Sequence, residues 1–245
     1  MLRELHALLP HADLLLLADQ ARCPYGERSR ADLIAIAQSN TRLLLSYGAR
    51  LIIVACNTAS AVALDALRQS FPAISFVGMV PALKPAARTT RSGVVGVLAT
   101  PATIAGGLLA AVAARWAADL QVIFQPCPGL VEQIEAGALD DAATSALLRE
   151  LLAPLQQAGA DTVVLGCTHY PYVQPTIARI MGPQVTIHDA ARATAQHAAN
   201  LLPPDSGTNI GRVRYLTTGD AAHLVRQIAQ LGLPAGPVAH VAVPS

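Results

Sequence analysis

Charged and aromatic side chains are scarce in this sequence of 245 residues. Asp, Glu, Lys and Arg make up 13% of it and Phe, Trp and Tyr 4%, whereas hydrophobic residues reach 53%. The apolar content is therefore mostly aliphatic, which is typical of a compact globular protein and argues against disorder. The net charge of +1 and the lack of a basic block give no electrostatic footprint for a nucleic acid.

Long apolar runs, a secretion signal and paired cysteines are also missing. Residues 14–17 and 51–55 form apolar runs of strand length, and the longer run at 107–120 contains Arg115. None approaches the roughly 18–20 residues that span a bilayer, and the N-terminus does not have the pattern of a signal peptide. The four cysteines lie far apart without a Cys-x-x-Cys pair, so we expect no disulfide framework, no metal site and a cytoplasmic location.

Apolar, β-branched segments alternate with segments of helical periodicity along nearly the whole chain. This alternation predicts an α/β fold with mostly parallel sheets flanked by helices. Residues 51–58 and 162–169 share one pattern: an apolar strand, a small residue, a cysteine and then polar residues. We therefore predict two pseudo-symmetric domains with the active site in the cleft between them. The first would contain residues 1–79 and 190–245, and the second residues 80–189.

Cys56 and Cys167 are the strongest candidates for chemistry. Each follows a predicted strand and is placed at the start of a predicted helix, at the sheet edge where α/β proteins bind ligands. A helix N-terminus favours negative charge, so we expect both thiols to have pKa values lowered from about 8.5 towards neutrality. A thiolate on one side of a carbon and a thiol on the other are the two bases that racemisation needs.

Each of these residues also has a simpler interpretation. A single cysteine after a strand is more often an inert core residue, and only the matched pair reverses that preference. Asn57 and Thr58 could cap a helix, His169 could be a hydrogen-bonded loop residue, and Glu135 could be a solvated helix charge. Cys23 and Cys127 have no matching context and are interpreted as structural. Thr100, followed by proline, is predicted to cap a helix.

Three motifs together resemble the bacterial glutamate racemases of the aspartate/glutamate racemase superfamily. The motifs are Val54-Ala55-Cys56-Asn57-Thr58-Ala59-Ser60, Leu165-Gly166-Cys167-Thr168-His169-Tyr170-Pro171 and Pro24-Tyr25-Gly26-Glu27. The resemblance covers nearly the whole chain, and the second cysteine motif with its Thr-His is its most specific part.

The resemblance implies that Cys56 and Cys167 are the proton donor and acceptor, with Glu135 and His169 as candidates to assist them. It implies that glutamate is bound by these residues: Tyr25, Gly26, Asn57, Thr58, Thr168 and His169, with Thr100 and Thr103 lining the same pocket. The family supplies D-glutamate for peptidoglycan and needs neither pyridoxal phosphate nor metal, so we expect no cofactor. Some members are activated by a peptidoglycan precursor and many dimerise, which makes a precursor activator and a homodimer further expectations.

The start of the chain departs from this family. Its members begin with an apolar strand and an Asp-Ser-Gly motif, ahead of a helix like the one predicted at residues 2–9. The present sequence begins at that helix, so the strand and the two substrate-contacting side chains have no counterpart in it. We expect that Met1 is an internal residue of a longer protein, and that a chain starting there is unstable or nearly inactive.

Two other functions remain open from the sequence. Aspartate is a possible alternative substrate, because the cysteine motifs suit several amino-acid racemases and only the Thr-His and Pro-Tyr-Gly residues favour glutamate. A truncated homologue that acts only as a binding protein is the second alternative, which the missing strand would explain.

Overall fold

The computed structural model describes residues 1–26, 28–202 and 210–243, so Glu27 of the Pro-Tyr-Gly-Glu motif lies outside the described residues. Helices and strands follow one another in this order: α1 (Leu2–Leu8), β1 (Leu14–Ala18), α2 (Arg30–Ser46), β2 (Leu51–Val54), α3 (Asn57–Ser70), β3 (Ser75–Gly78), α4 (Leu83–Thr89), β4 (Val94–Ala99), α5 (Pro101–Ala105), α6 (Leu108–Trp116), β5 (Gln121–Pro126), α7 (Leu130–Glu135), α8 (Ala142–Gln157), β6 (Thr162–Leu165), α9 (Gln174–Met181), β7 (Thr186–His188), α10 (Ala191–Leu201), β8 (Val213–Thr217), α11 (Ala221–Gln230) and β9 (Val238–His240).

The chain divides into two compact units. The first contains Met1–Ala55, Val62–Gly78 and the chain from Ala191 onward, and the second contains Cys56–Ala61 and Met79–Ala190. The start of α3 belongs to the second unit because its side chains bond there: the Ser60 hydroxyl accepts a hydrogen bond of 2.9 Å from the Met79 backbone N–H. This short segment carries the first of the two candidate cysteines.

The second unit is built on a four-stranded sheet in the order β5-β4-β6-β7. All of its neighbouring strands are parallel. The central strands β4 and β6 are almost fully buried, as expected for apolar strands with helices packed against them. Fully buried leucines of α8, Leu148, Leu152 and Leu155, contribute to the core of this unit. The carboxyl ends of β4 and β6 lie side by side, since Leu98 is in register with Leu165.

The first unit contains two smaller parallel sheets. One has the order β1-β8-β9 and the other pairs β2 with β3. Helix α1 packs on α10, where Leu5 contacts a buried cluster that includes Ala195 and Ala198. The leucines of β1 are only half-buried. The predicted α/β class with parallel sheets and flanking helices is confirmed.

Local sequence signals account for several helix starts. Ser29 caps α2, because its hydroxyl accepts a hydrogen bond from the Asp32 backbone N–H. Thr100 caps α5 in the same way, with Pro101 at the first helical position, as predicted. Among the described residues, no helix combines the length and the apolar character needed to cross a membrane.

Candidate functional site

Cys56 lies at the start of α3, separated from β2 only by Ala55. Its carbonyl accepts the first hydrogen bond of the helix, 2.9 Å from the Ser60 backbone nitrogen. Its thiol sulfur accepts a weaker hydrogen bond, 3.5 Å from the Ala59 backbone nitrogen. The sulfur therefore lies beside the backbone N–H groups in the first turn of α3, at the helix N-terminus that the sequence predicts.

The expected lowering of the Cys56 pKa is wrong. Burial of the thiol raises its pKa above the usual value, and this effect exceeds the opposing hydrogen bond from Ala59. The thiolate of Cys167 would raise the pKa further, whereas the charge of His169 lowers it. The reason is that moving a thiolate out of water raises its free energy by more than one long hydrogen bond from an N–H group lowers it. The two cysteines and His169 nevertheless share one electrostatic environment.

Cys167 follows β6 after a single glycine. The Gly166 backbone N–H donates a hydrogen bond of 2.7 Å to the Leu98 carbonyl, at the end of the neighbouring strand β4. A Cβ atom at this position would lie 2.7 Å from the same oxygen, which is too close for any other residue without a backbone shift. Glycine therefore lets the chain pass close to β4, and Cys167 is buried just beyond it.

The sequence predicts a helix after residues 166–171 that ends near Ile180, and α9 (Gln174–Met181) corresponds to it, but the expectation that Cys167 lies at the start of this helix is wrong. A short 3-10 helix spans Tyr170–Val173, and α9 begins only at Gln174. Pro175 explains the later start, because proline lacks the backbone N–H and is accommodated only in the first turn of an α-helix. Cys167 therefore does not have the α-helix N-terminus that lies beside Cys56.

A histidine and a carboxylate support Cys167 instead. His169 Nδ1 lies 3.7 Å from the Cys167 sulfur, and His169 Nε2 lies 2.6 Å from Glu135 Oε1 at the end of α7. An ionised carboxylate only accepts hydrogen bonds, so Nε2 carries the proton of a neutral ring and Nδ1 presents a lone pair to the thiol. This arrangement can take the thiol proton, and protonated His169 would then stabilise the thiolate.

Three predicted threonines form a closed cluster of buried hydroxyl groups. The Thr58 oxygen lies 3.0 Å from that of Thr100 and 2.8 Å from that of Thr103, which are themselves 2.9 Å apart. Thr100 also accepts the capping hydrogen bond from the Thr103 backbone N–H. The cluster joins the start of α3 to the start of α5. A bound carboxylate could redirect one of these hydroxyl protons towards itself.

The Asn57 side chain is buried with both polar atoms unsatisfied. Its amide nitrogen and oxygen have no hydrogen-bond partner among the described residues, and only 2% of the residue is exposed. A buried amide without partners costs free energy, and native structures rarely leave one so. An amide offers both a donor and an acceptor, which suits the carboxylate and the ammonium of an amino acid. Thr168 lies half-buried between Cys167 and His169.

Tyr25 and Gly26 lie in the first unit, whereas the cysteines, Asn57, the three threonines, His169 and Glu135 all belong to the second. The Tyr25 hydroxyl donates a short hydrogen bond to Asp19, a residue that sequence reasoning missed. Its position in the sequence could have identified it, because Asp19 directly follows the apolar strand β1. A polar residue at the carboxyl end of a parallel strand is a candidate for the ligand-binding edge.

Cys127 differs from the two candidate cysteines. Burial raises the pKa of its thiol to about 12, so it stays protonated near neutral pH. The neighbouring Tyr170 hydroxyl is also fully buried, and burial raises its pKa well above the usual value, with Cys167 and Cys127 adding to the shift. Neither group is suited to exchange a proton at neutral pH.

Comparisons with known proteins identify the family of this chain. The family model described as Asp/Glu/Hydantoin racemase matches residues 1–198. The glutamate racemase of Roseiflexus sp. (strain RS-1) is 56% identical over 239 residues, which cover 96% of this chain and 88% of that protein. The glutamate racemase of Herpetosiphon aurantiacus is 49% identical over 231 residues, covering 92% and 90%.

Solved structures give the same result. The glutamate racemase isoform RacE1 from Bacillus anthracis matches with a TM-score of 0.86 and 28% identity, over 99% of this chain and 92% of that one. The Escherichia coli glutamate racemase, solved with L-glutamate and the activator UDP-MurNAc-Ala, matches with a TM-score of 0.85 and 30% identity, over 99% and 93%.

Proposed function

The chain belongs to the Asp/Glu/hydantoin racemase family, and we propose that it is a glutamate racemase that interconverts L- and D-glutamate by moving the α-proton between Cys56 and Cys167. The observation that carries this proposal is the pair of thiols whose charges influence each other, with His169 beside the Cys167 sulfur. Such an isomerase supplies D-glutamate for peptidoglycan. The reaction needs two opposed groups that alternate as base and acid.

The two cysteines have different roles in the proposed reaction, one as the base and the other as the acid. We assign the role of base to Cys167, because His169 Nδ1 lies beside its sulfur and can accept the thiol proton while Glu135 holds the opposite ring nitrogen. Cys56 is the thiol, because burial raises its pKa. The Cys167 thiolate removes the α-proton from one face of the substrate, and the Cys56 thiol donates its proton to the opposite face.

The step balances without any other reactant. The substrate loses one proton and gains another, so that Cys167 ends as a thiol and Cys56 as a thiolate. The product enantiomer is the substrate for this second protonation form, and the reverse reaction restores the first. An intermediate carbanion is stabilised by donors beside the carboxylate of the substrate. We assign that role to Asn57, whose side-chain amide has no hydrogen-bond partner among the described residues, and to Thr58, Thr100 and Thr103.

Hydrogen exchange at the α-carbon tests this function. The chain is incubated in deuterated water with L-glutamate, D-glutamate, or either enantiomer of aspartate, and deuterium incorporation and optical rotation are followed together. We expect deuterium to enter the α-position as glutamate racemises. Racemisation of aspartate but not glutamate would reassign the substrate, and no exchange from folded protein would overturn the catalytic proposal.

Cysteine variants test the two-base assignment in the same assay. Cys56→Ser and Cys167→Ser are each expected to abolish racemisation, because a serine hydroxyl is too weak an acid and base near neutral pH to replace a thiol. Asp65→Asn is the control, since the Asp65 side chain is 92% exposed on α3, and it should keep the parent activity. Racemisation retained in either of the first two variants would overturn the assignment.

Two further proposals depend on the resemblance to the family. We propose that a peptidoglycan precursor activates the chain, which the activator in the Escherichia coli structure supports, and the racemisation assay is therefore repeated with added UDP-MurNAc-Ala. We also propose a cytoplasmic homodimer as the working form. Equal rates with and without the precursor would remove the first of these proposals.

A further inference from the structure

Asp19 is the centre of a buried hydrogen-bond network in the first unit. It directly follows β1, and only 7% of its side chain is exposed. A carboxylate so far from water is costly unless donors surround it. The network around Asp19 satisfies this condition, with donors from three separate parts of the chain.

Four side chains donate hydrogen bonds to the Asp19 carboxylate. The Thr218 hydroxyl donates to Oδ1 at 2.8 Å and the Arg22 Nε to the same oxygen at 2.9 Å. Tyr25 donates its phenol proton to Oδ2, and Asn40 donates its amide N–H to Oδ2 at 3.3 Å. Although burial alone raises the pKa of Asp19, the hydrogen bonds from Tyr25, Arg22 and Thr218 lower it overall, so the carboxylate stays ionised.

The donors are also connected to each other. The Arg22 guanidinium donates a hydrogen bond of 2.7 Å to the Asn40 side-chain oxygen, and the Asn40 amide donates to the Tyr25 hydroxyl at 3.3 Å. Asn40 is therefore held in one orientation and can donate to both Asp19 and Tyr25. Networks of this kind fix the positions of their members when each polar group is satisfied.

The network determines what Tyr25 can do. A phenol has one proton, and Tyr25 gives it to Asp19. The hydroxyl therefore cannot donate to a ligand carboxylate without breaking that bond. A carboxylate bound at residues 25–26 would therefore take its hydrogen bonds from donors other than this hydroxyl, and Gly26 permits a close approach to the backbone because it has no side chain.

We propose that Asp19 is a positioning residue for substrate binding: by holding the Tyr25 phenol, it fixes the Tyr25–Gly26 backbone that binds a carboxylate of the substrate. This role rests on the proposed glutamate racemase function and on Tyr25 and Gly26 as substrate contacts. Asp19 acts only through Tyr25 and does not touch the reacting atoms. Its loss should therefore weaken binding while leaving proton transfer at Cys56 and Cys167 nearly intact.

A double-mutant cycle tests the coupling. Asp19→Asn and Tyr25→Phe are each expected to raise KM for glutamate about tenfold or more and to leave kcat within about threefold, because each weakens or removes a hydrogen bond that positions the binding segment and takes no part in the proton transfer. The double variant should be no worse than either single variant. Additive effects on KM, or a loss confined to kcat, would overturn the proposal.

Asp13→Asn is the matched control. Asp13 precedes β1, whereas Asp19 follows it, and its exposed carboxylate pairs with Arg212 at 3.1 Å. This variant should keep the parent KM. Thermal melts accompany each kinetic measurement. A lower melting temperature in Asp19→Asn with an unchanged KM would show a purely structural role, which would also overturn the proposal. If Asp19→Asn does not fold, Tyr25→Phe alone decides, since an unchanged KM there contradicts the anchoring role.

An NMR measurement separates this inference from the proposed function. The protein is labelled at tyrosine ¹³Cζ, and the Tyr25 resonance is assigned from its absence in Tyr25→Phe. We expect this resonance to move in Asp19→Asn and not in Asp13→Asn, whatever the activity of the chain. An unmoved resonance would overturn the Asp19–Tyr25 contact. A moved resonance in a parent chain that neither racemises nor binds glutamate would instead overturn the proposed function and the positioning role that rests on it.

Discussion

The His169 ring separates the charge of Glu135 from the sulfur of Cys167. Glu135 Oε1 lies 2.6 Å from Nε2, and the sulfur lies 3.7 Å from Nδ1 on the other side of the ring. An ionised Glu135 fixes the tautomer and makes Nδ1 a stronger acceptor for the thiol proton. The carboxylate therefore acts on Cys167 only through His169.

Glu135→Gln should lower kcat/KM for glutamate by about 10- to 100-fold, because glutamine keeps the hydrogen bond but removes the charge that makes His169 basic. The loss should fall on kcat rather than on KM, since Glu135 is proposed to act on proton transfer through His169. Racemisation rates over a range of glutamate concentrations separate the two constants.

Glu132→Gln is the control for this variant, since Glu132 is exposed on the same helix. It should keep the parent kcat and KM. A Glu135→Gln variant with the parent kcat, or with a loss confined to KM, would contradict the role of the charge.

The sequence alone does not determine the roles of individual side chains such as His169 and Glu135. The resemblance to a family suggests roles for His169 and Glu135, but the isolated residues are equally consistent with a loop hydrogen bond and a solvated charge. Their contact joins positions 34 residues apart. Spacing along the chain carries no information about such a contact, because it depends on how α7 packs beside the segment after β6.

At the scale of elements, the close approach of two neighbouring strands positions Cys167. Residues of β4 and β6 pair in parallel register, and the Gly166 N–H bonds to Leu98 at the end of β4. The sequence predicts both strands and the cysteine after the second. It also predicts that Cys167 lies at the start of a helix, whereas a 3-10 helix at Tyr170–Val173 separates this cysteine from α9.

Gly166→Ala should displace Cys167 and lower the stability of the protein. The added Cβ would lie 2.7 Å from the Leu98 carbonyl oxygen, a backbone atom that cannot move aside. We expect a loss of about 1–3 kcal/mol in the free energy of unfolding, measured by urea denaturation, together with a lower kcat.

Gly106→Ala is a milder companion variant, since its Cβ would have its nearest contacts at 3.2 Å. It should cost less stability than Gly166→Ala. Equal losses in the two variants would contradict the importance of the approach to Leu98.

At the scale of the whole molecule, carboxylates that accept several hydrogen bonds make the free energy of unfolding depend on pH. Asp161, which precedes β6, accepts hydrogen bonds of 2.6 Å from the Thr90 hydroxyl and of 2.7 and 2.8 Å from the backbone N–H groups of Arg91 and Ser92. Although burial raises its pKa, these bonds and one from Thr162 hold the pKa of Asp161 well below its usual value.

The stability of the parent protein should therefore fall in acid. A carboxylate whose folded-state pKa is lowered contributes stability above its unfolded-state pKa of about 3.9, and that contribution is lost as the pH falls below this value. Asp161→Asn should be less stable than the parent at pH 7 and should lose less stability between pH 5 and pH 3.

Thermal or urea melts across this pH range measure the difference. Asp65→Asn is the control, because the Asp65 side chain is 92% exposed on α3, and it should follow the parent. Parallel stability curves for the parent and Asp161→Asn would contradict the contribution of Asp161.

The sequence alone determined the α/β class and the order of most helices and strands, and it singled out the two cysteines as candidates for the chemistry. These follow from local patterns: apolar periodicity, capping residues and a repeated strand-Cys-Thr motif. Tertiary structure decided what no local pattern encodes. It raised the pKa of Cys56 through burial, placed Glu135 against His169, and made Asp19 the anchor of Tyr25. The physical reason is that desolvation and side-chain hydrogen bonds depend on which distant segments pack together.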